Sequence, residues 1–547
     1  MKFKLVIFKF VLLLSKHRIL TGFFISFLVL IVLDLLFNGV FENFNLEETL
    51  FADQIGFAPE VWLSVLSLVL GTLIIVISIA SQGTPRLIDL YLNNWPSIFY
   101  IWFIVLSSVH SILYIMFAEF ENRVSSGFLN SYLLLPIALL GSLPYIFFIL
   151  NYSKVDNVIQ VLYLQVKSRL HIVSKISKLG LLENKEVVSV MQKVVLEKIN
   201  QLTALFYFVG YNESKQIVLD YLIRSLLFYA EGKKEIDSRF FFISGEIRQD
   251  LAFSNYIEYQ FQKMEKRQSF FEEKILKEVG LIYNSFLEQK NYGLASSCCA
   301  KVVEVGKYTI EKEDEIMTSL ITIRINTMFR YSLKHSLNVK STRIINNFVF
   351  QTGKLLDVII TLKKSGELFR MYDFIQIYGN ELYVLSLKNK MMKFSYISLL
   401  AEVKRSIIRM NEEDWDNEIQ EKLLGRMLSI NSFKHSNKEA ALKEREKNDK
   451  YRMIYLGLAL YYCGDKKFDL ALFIVRRLLN DLERLNGNEK YELMEYALNK
   501  LKDIPLSFWE DNDRGSFNVY YVSETDLIEP LLKLISKIIN EESLERD

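Results

Sequence analysis

Four stretches of about twenty mostly apolar residues fall near the start of this chain, each long enough to cross the roughly 30 Å hydrocarbon core of a bilayer. They run from Ile19 to Val40, Val61 to Ala80, Ser97 to Ala118 and Leu129 to Leu150. Lipid offers the backbone no hydrogen-bond partners, so each must be a helix. Ahead of them, Phe3 to Ser15 is apolar but too short to span. It carries Lys4 and Lys9, ends at Lys16 and Arg18 and has no small-residue cleavage site, so residues 1–18 are expected to form a helix lying in the membrane interface.

Basic residues orient the spans. Lys2, Lys4, Lys9, Lys16 and Arg18 precede the first, and Lys154, Lys167, Arg169, Lys175 and Lys178 follow the fourth. The segment from Phe41 to Glu60 carries five acids and no base. Both termini are therefore expected in the cytosol, with the protein a multi-pass component of a bacterial inner membrane. The apolar period continues past the fourth span at Val155, Val158, Ile159, Leu162, Val166, Leu170 and Val173. That spacing predicts one helix running from the bilayer into the soluble part, kinked by Pro136 and Pro144. It would serve as a coupling rod or a rigid linker.

Asp34 is the one acid inside a span, and His110 lies in the third span among Ser107, Ser108 and Ser111. Both sit about two-thirds of the way along helices that run in the same direction. A charge at mid-membrane costs roughly 2.5–3.5 kcal/mol on insertion scales, so it faces protein, water or a partner. An Asp34–His110 pair could line an ion path, form a gate, or simply be a buried structural pair. Ser64, Gly71 and Ser78 recur every seven residues on the second span. Such a stripe permits close helix packing, or would line a conduit in a homo-oligomer.

The second span ends in Ile79-Ala80-Ser81-Gln82-Gly83-Thr84-Pro85-Arg86-Leu87-Ile88, the third span follows closely, and Val155-Asp156 follows the last. Over about residues 61–156 this resembles an uncharacterised bacterial multi-pass membrane protein family with a Ser-Pro-Arg-Leu-like motif after its second span. The family's later Arg-rich and Asn-Asp-Pro-like segments have no counterpart here. The resemblance implies architecture and little chemistry. Read alone, Pro85 stops the helix and Arg86 reaches headgroup phosphate or a helix C-terminus as an anchor.

No proline lies between Pro144 and Pro505, glycine is sparse there, and apolar residues recur at helical spacing, as at Phe271, Ile275, Val279, Ile282 and Phe286. The expected fold is all-α: a four-helix transmembrane domain followed by a large cytosolic domain, an irregular solenoid or a bundle. Leu456-Gly457, Ala459, Tyr461, Gly464-Asp465, Phe468 and Ala471 resemble a tetratricopeptide hairpin, and Val279-Gly280, Tyr283, Tyr292 and Ala295 echo it. No third unit follows at a constant period. Ser432 to Arg452 is densely charged and predicts a solvated linker or exposed helix end. Ser523-Glu524-Thr525-Asp526 opens a capped helix, although Pro530 could kink it or delay its start. The expected organisation is 1–18 interfacial helix, 19–151 four-span domain, 152–431 cytosolic helical domain, 432–452 linker and 453–547 C-terminal helical subdomain.

Several chemistries find no support. The net charge of +2 creates no field for nucleic acid. Cys298, Cys299 and Cys463 cannot build a disulfide framework, and His17, His110, His171, His335 and His435 lack metal-ligand spacing. No phosphate loop, dinucleotide fingerprint, nucleophile elbow or kinase signature occurs. The chain is expected to be no enzyme and to need no cofactor. Its expected partners are the lipid bilayer, a protein bound by the cytosolic helices and further copies of itself. Two functions compete: a cytosolically regulated, channel-like membrane effector whose helical domain senses a signal, and a non-conducting scaffold. A transporter is disfavoured because four spans carry no inverted repeat. In bacteria, effectors of this design serve stress responses or phage defence, an analogy of architecture only.

Overall fold

The computed structural model of the protein describes residues 17–43, 57–83, 94–116, 123–152, 154–339, 341–431, 449–483, 485–507 and 518–544. Every regular element among them is a helix. The chain divides into two compact units, Met1–Gln268 and Ser269–Asp547. The expected interfacial helix lies almost wholly outside the described residues, as do the Pro85–Ile88 element and most of the charged stretch.

The first unit opens with α1 (Arg18–Asn43), α2 (Ala58–Gly83) and α3 (Trp95–Met116). A fourth helix begins as α4 (Arg123–Phe128), passes through a π-helical stretch (Leu129–Leu134) and continues as α5 (Leu135–Tyr152). These four helices are long and apolar enough to cross a membrane. In the π stretch the Leu135 N–H bonds the Asn130 carbonyl, one residue beyond the α-helical partner. Pro136 follows directly. It has no N–H, and its ring would strike the carbonyl of Tyr132 in a regular helix, so the wider turn relieves it. Small residues set the close approaches: a Cβ at Gly22 would collide with Ile98, and one at Gly141 would come within 3.2 Å of the Tyr100 ring.

The expected continuous rod is broken. α5 ends at Tyr152, Lys154 is extended (φ −64°, ψ 129°), and α6 spans Val155–Lys178. Asn157 turns back, its Nδ2 donating to the Asn151 carbonyl at 2.7 Å and to Asn151 Oδ1 at 3.0 Å. Side-chain amides compete with the helical ladder in this way. The apolar period runs through the break because α6 buries Val158, Ile159, Leu162, Val166, Leu170 and Val173 against other partners. Those partners are α7 (Lys185–Phe208) and α8 (Asn212–Gly232). Fully buried Gln192 on α7 donates to the carbonyls of Phe240 and Phe242, both at 2.6 Å, which fixes the chain after α8. A short helix α9 (Glu258–Arg267) closes the unit.

The second unit is a two-layered stack. It comprises α10 (Phe270–Glu288), α11 (Tyr292–Glu311), α12 (Glu315–Val339), α13 (Arg343–Thr361), α14 (Ser365–Lys388), α15 (Lys390–Glu412) and α16 (Asn417–Leu428). Beyond the charged stretch follow α17 (Asp449–Gly464), α18 (Phe468–Asn480), α19 (Gly487–Lys502) and α20 (Ile528–Leu544). From α10 to α16 each helix packs on its sequence neighbour and on the next but one. This is the geometry of stacked helix hairpins. Helices on either side of the charged stretch also pack together, α15 on α17 and α16 on α18. α17 begins at Asp449, and Arg452 is buried. Pro530 falls in the first turn of α20, where its missing N–H has no helical partner to lose.

One turn recurs. Lys290, Glu313, Lys363, Asp414 and Lys466 all have left-handed backbone, with φ between 52° and 60°. After each, the next N–H reaches back five residues: Asn291 to Phe286, Asp314 to Thr309, Lys364 to Ile359, Trp415 to Met410 and Lys467 to Tyr462, at 2.9–3.1 Å. This Schellman closure satisfies carbonyls at the helix end and reverses the chain. From Glu313 onward the left-handed residues fall 50, 51 and 52 positions apart, with two α-helices per interval among the described residues. Tyr283 on α10 meets Ser332 on α12 at 2.5 Å, and between adjacent helices Tyr372 meets Ser406 at 2.7 Å and Tyr462 donates to Gln420 at 3.0 Å.

A left-handed residue with a Cβ costs about 1–2 kcal/mol that glycine avoids. Lys363→Gly and Lys466→Gly should each raise unfolding stability by about 1 kcal/mol, read by urea denaturation of the detergent-solubilised chain. A loss of stability in both would contradict the role given to these turns.

Candidate functional site

Asp34 and His110 meet toward the C-terminal ends of α1 and α3, beside the N-terminal parts of α2 and the fourth helix. Asp34 Oδ1 on α1 lies 3.6 Å from His110 Nε2 on α3. That is ion-pair range and too long for a direct hydrogen bond. Asp34 is 32% exposed and His110 is 16% exposed.

Two residues that sequence reasoning missed hold this pair. Asn130, in the π stretch, and Trp62, on α2, are both fully buried. The Trp62 indole donates to Asn130 Oδ1 at 2.6 Å. Asn130 Nδ2 donates to the Ser107 carbonyl at 2.9 Å and lies 3.1 Å from His110 Nδ1. An indole N–H can only donate, so it fixes which end of the amide faces it. The amide nitrogen then donates to His110 Nδ1, which leaves the proton on Nε2, facing Asp34. All four apolar helices thus meet in one chain of polar contacts: Trp62, Asn130, His110, Asp34. Nearby, Ser125 Oγ donates to Asn38 Oδ1 at 2.6 Å. The π turn widens the fourth helix at Asn130, and an asparagine inside an apolar run was the available signal. Trp62 gave none, because a tryptophan near a span end reads equally well as an interfacial anchor.

Among the described residues, the space beside the cluster is mostly apolar. The neighbouring cavity, about 250 Å³, is lined by Ile25, Val29, Leu33, Phe99, Phe103 and other apolar side chains, with Ser26 and Ser107 on its wall. Ser64 and Ser78 lie exposed on α2, and Gly71, partly exposed, has no heavy atom within 4 Å of where its Cβ would be. The stripe therefore faces outward and not into the bundle. Ser64 Oγ bonds its own helix at the Glu60 carbonyl, 2.9 Å. Arg86, the expected headgroup anchor, lies outside the described residues.

Among the described residues no group of three or more His, Cys, Asp and Glu side chains is placed to hold a metal. Cys298 and Cys299 are buried in α11, and burial pushes both thiols up, away from the reactive thiolate.

No protein-family model and no curated protein matches the chain. A solved structure that aligns with it is titled "Circular tandem repeat protein with novel repeat topology and enhanced subunit contact surfaces", at 14% sequence identity. The alignment covers 81% of this chain and 98% of that one, with a TM-score of 0.32.

Polar contacts between membrane helices measure about 0.6 kcal/mol on average and up to about 1.7. Trp62→Phe and Asn130→Ala should therefore be non-additive in a double-mutant cycle, with a coupling of about 1 kcal/mol, read by denaturation in mixed micelles. Additive losses would separate the indole from the amide.

Proposed function

We propose that this is an integral inner-membrane protein whose four apolar helices anchor an α-helical stack that engages a partner at the cytosolic membrane surface. The reading is non-enzymatic. The carrying observation is the contact chain Trp62–Asn130–His110–Asp34. It ties the two half-buried ionisable groups into a knot joining all four helices, which is what an anchor needs and a water-filled path does not. The break at Lys154 removes the rod through which a cytosolic signal would drive the spans.

Membrane residence draws on two further features. The outer faces of these helices expose large apolar side chains, with Leu28 at 64%, Leu35 at 68%, Leu140 at 77% and Phe147 at 68%. Faces of this kind belong in lipid. The α7–α8 turn also carries Tyr207, Phe208 and Tyr211, exposed by 54%, 54% and 78%. It sits where α6 leaves the fourth apolar helix, since Ser214 donates to Asp156 at 2.7 Å. Aromatic side chains at that level suit the headgroup region. With Phe208→Trp in the full chain, bromolipids should quench the new tryptophan's emission; unquenched emission would place this turn away from the bilayer.

The second reading is a conductance gated by the cytosolic helices in an oligomer. It is favoured by the outward stripe Ser64, Gly71 and Ser78 and by the partial exposure of Asp34. A potential-sensitive dye in bacteria expressing the full chain separates the two. The anchor reading expects an unchanged potential, and loss of stability alone from Asp34→Asn with His110→Ala. Depolarisation abolished by Asp34→Asn would establish the conducting reading instead.

A further inference from the structure

The second unit contains a cavity of about 470 Å³ between α13 and α15, closed on one side by Val519 and Tyr521 of the segment before α20. Pockets for small organic ligands typically enclose about 300–1,000 Å³. Phe350, Ala401, Ile408 and Val519 give it apolar wall. Five charged side chains also reach it: Lys354, Asp357, Glu402, Lys404 and Arg405.

These charges are not equivalent. Arg405 bonds Asp357 Oδ1 at 3.0 Å and Glu402 Oε2 at 3.1 Å, which occupies both acids. Gly353 makes room for this triad, since a Cβ there would collide with the Glu402 carboxylate. Lys354 is exposed, with its ammonium 4.5 Å from the Phe350 ring. Lys404 is 7% exposed and its Nζ has one hydrogen-bond acceptor among the described residues, the Tyr521 carbonyl at 3.4 Å. An ammonium carries three donors. α17 meets it with Gly457, whose Cβ would lie 3.1 Å from Nζ, and so supplies no acceptor side chain at that point.

We propose that this cavity binds a small organic anion, an apolar or aromatic body bearing one carboxylate or phosphate, with the charged group on Lys404. A buried cation on the wall of a cavity, with its donors largely unfilled, is costly unless an anion completes it. The two-part lining accordingly selects a two-part ligand. Burial pushes the Lys404 ammonium down from 10.5 to about 8, with the Glu524 carboxylate acting in the opposite direction. An anion on Nζ would restore the ordinary value. The inference does not rest on the membrane reading, because a chain whose first helices do something else would keep this cavity.

The test uses the full chain in lipid nanodiscs with water-soluble probes: phenyl phosphate, phenylacetate, inorganic phosphate and benzyl alcohol. Calorimetry measures affinity, and amine acetylation followed by peptide mass spectrometry measures the reactivity of Lys404. At least one of the two aromatic anions should bind and shield Lys404 from acetylation, and which one binds distinguishes phosphate from carboxylate. Lys404→Met should weaken that binding by tenfold or more, and Lys404→Arg should retain part of it. Inorganic phosphate and benzyl alcohol should each bind more weakly than the whole. Without ligand, Lys404 is protonated in both folded and unfolded chains below about pH 8, and the folded chain alone loses its proton between about 8 and 10.5. Folding stability should therefore gain a contribution as pH rises through that window, and Lys404→Met should lack it. The proposal falls if neither aromatic anion shields Lys404, if Lys404→Met binds them unchanged, or if inorganic phosphate binds as tightly as phenyl phosphate. Should Lys404→Met not fold, shielding in the native chain decides alone.

Discussion

A helix can end only where its last carbonyls find other donors, and the second unit depends on meeting that demand in one way five times over. Each left-handed residue lets the following N–H return to the helix just completed, and the chain reverses within three or four residues. Reversals this tight set successive helices antiparallel and adjacent. Once neighbours are paired, the apolar faces left over must meet the next pair, and the two layers follow. Tyrosine hydroxyls reaching from helix to helix satisfy their own polar ends inside the stack while contributing large apolar area.

The first unit solves a different problem, since its helices turn apolar side chains outward as well as inward. Interior packing cannot then register the helices by hydrophobicity alone, because both faces are alike. Polar contacts and close approaches do it instead: Gly22 against Ile98, Gly141 against Tyr100, and Asn130 between Trp62 and His110. An indole that can only donate makes this last arrangement directional. That is why a single asparagine fixes both the orientation of its amide and the tautomer of its neighbour.

The fold class was legible because apolar periodicity survives any detail of packing: Phe271, Ile275, Val279, Ile282 and Phe286 are all fully buried. Asp34 and His110 stood out as ionisable residues in apolar runs, but nothing in their spacing pointed to Asn130, which sits in the locally widened helix and bridges His110 to Trp62. The same periodicity misled at Lys154. It reports a buried face and not an unbroken axis, so a bend with apolar residues on both sides leaves no trace. The repeat was hidden for the opposite reason. Its left-handed positions hold Lys, Glu and Asp where glycine would have announced them, and its turns preserve geometry without preserving residue type. The cavity at Lys404 was equally silent, for a lysine in a helix reads as solvent-facing until the segment from residue 518 onward is seen to cover it.

The outward line of Ser64, Gly71 and Ser78 carries a geometrical consequence of its own. Seven residues fall short of two full turns of a straight helix by about 20°, so the line winds slowly around α2 and does not run parallel to its axis. A second helix that kept touching all three small residues would have to wind with it, in a left-handed sense and at a shallow crossing angle of about 20°. Any neighbour that lies along this face, whether another copy or another protein, is thereby restricted in handedness before any side chain of its own is considered.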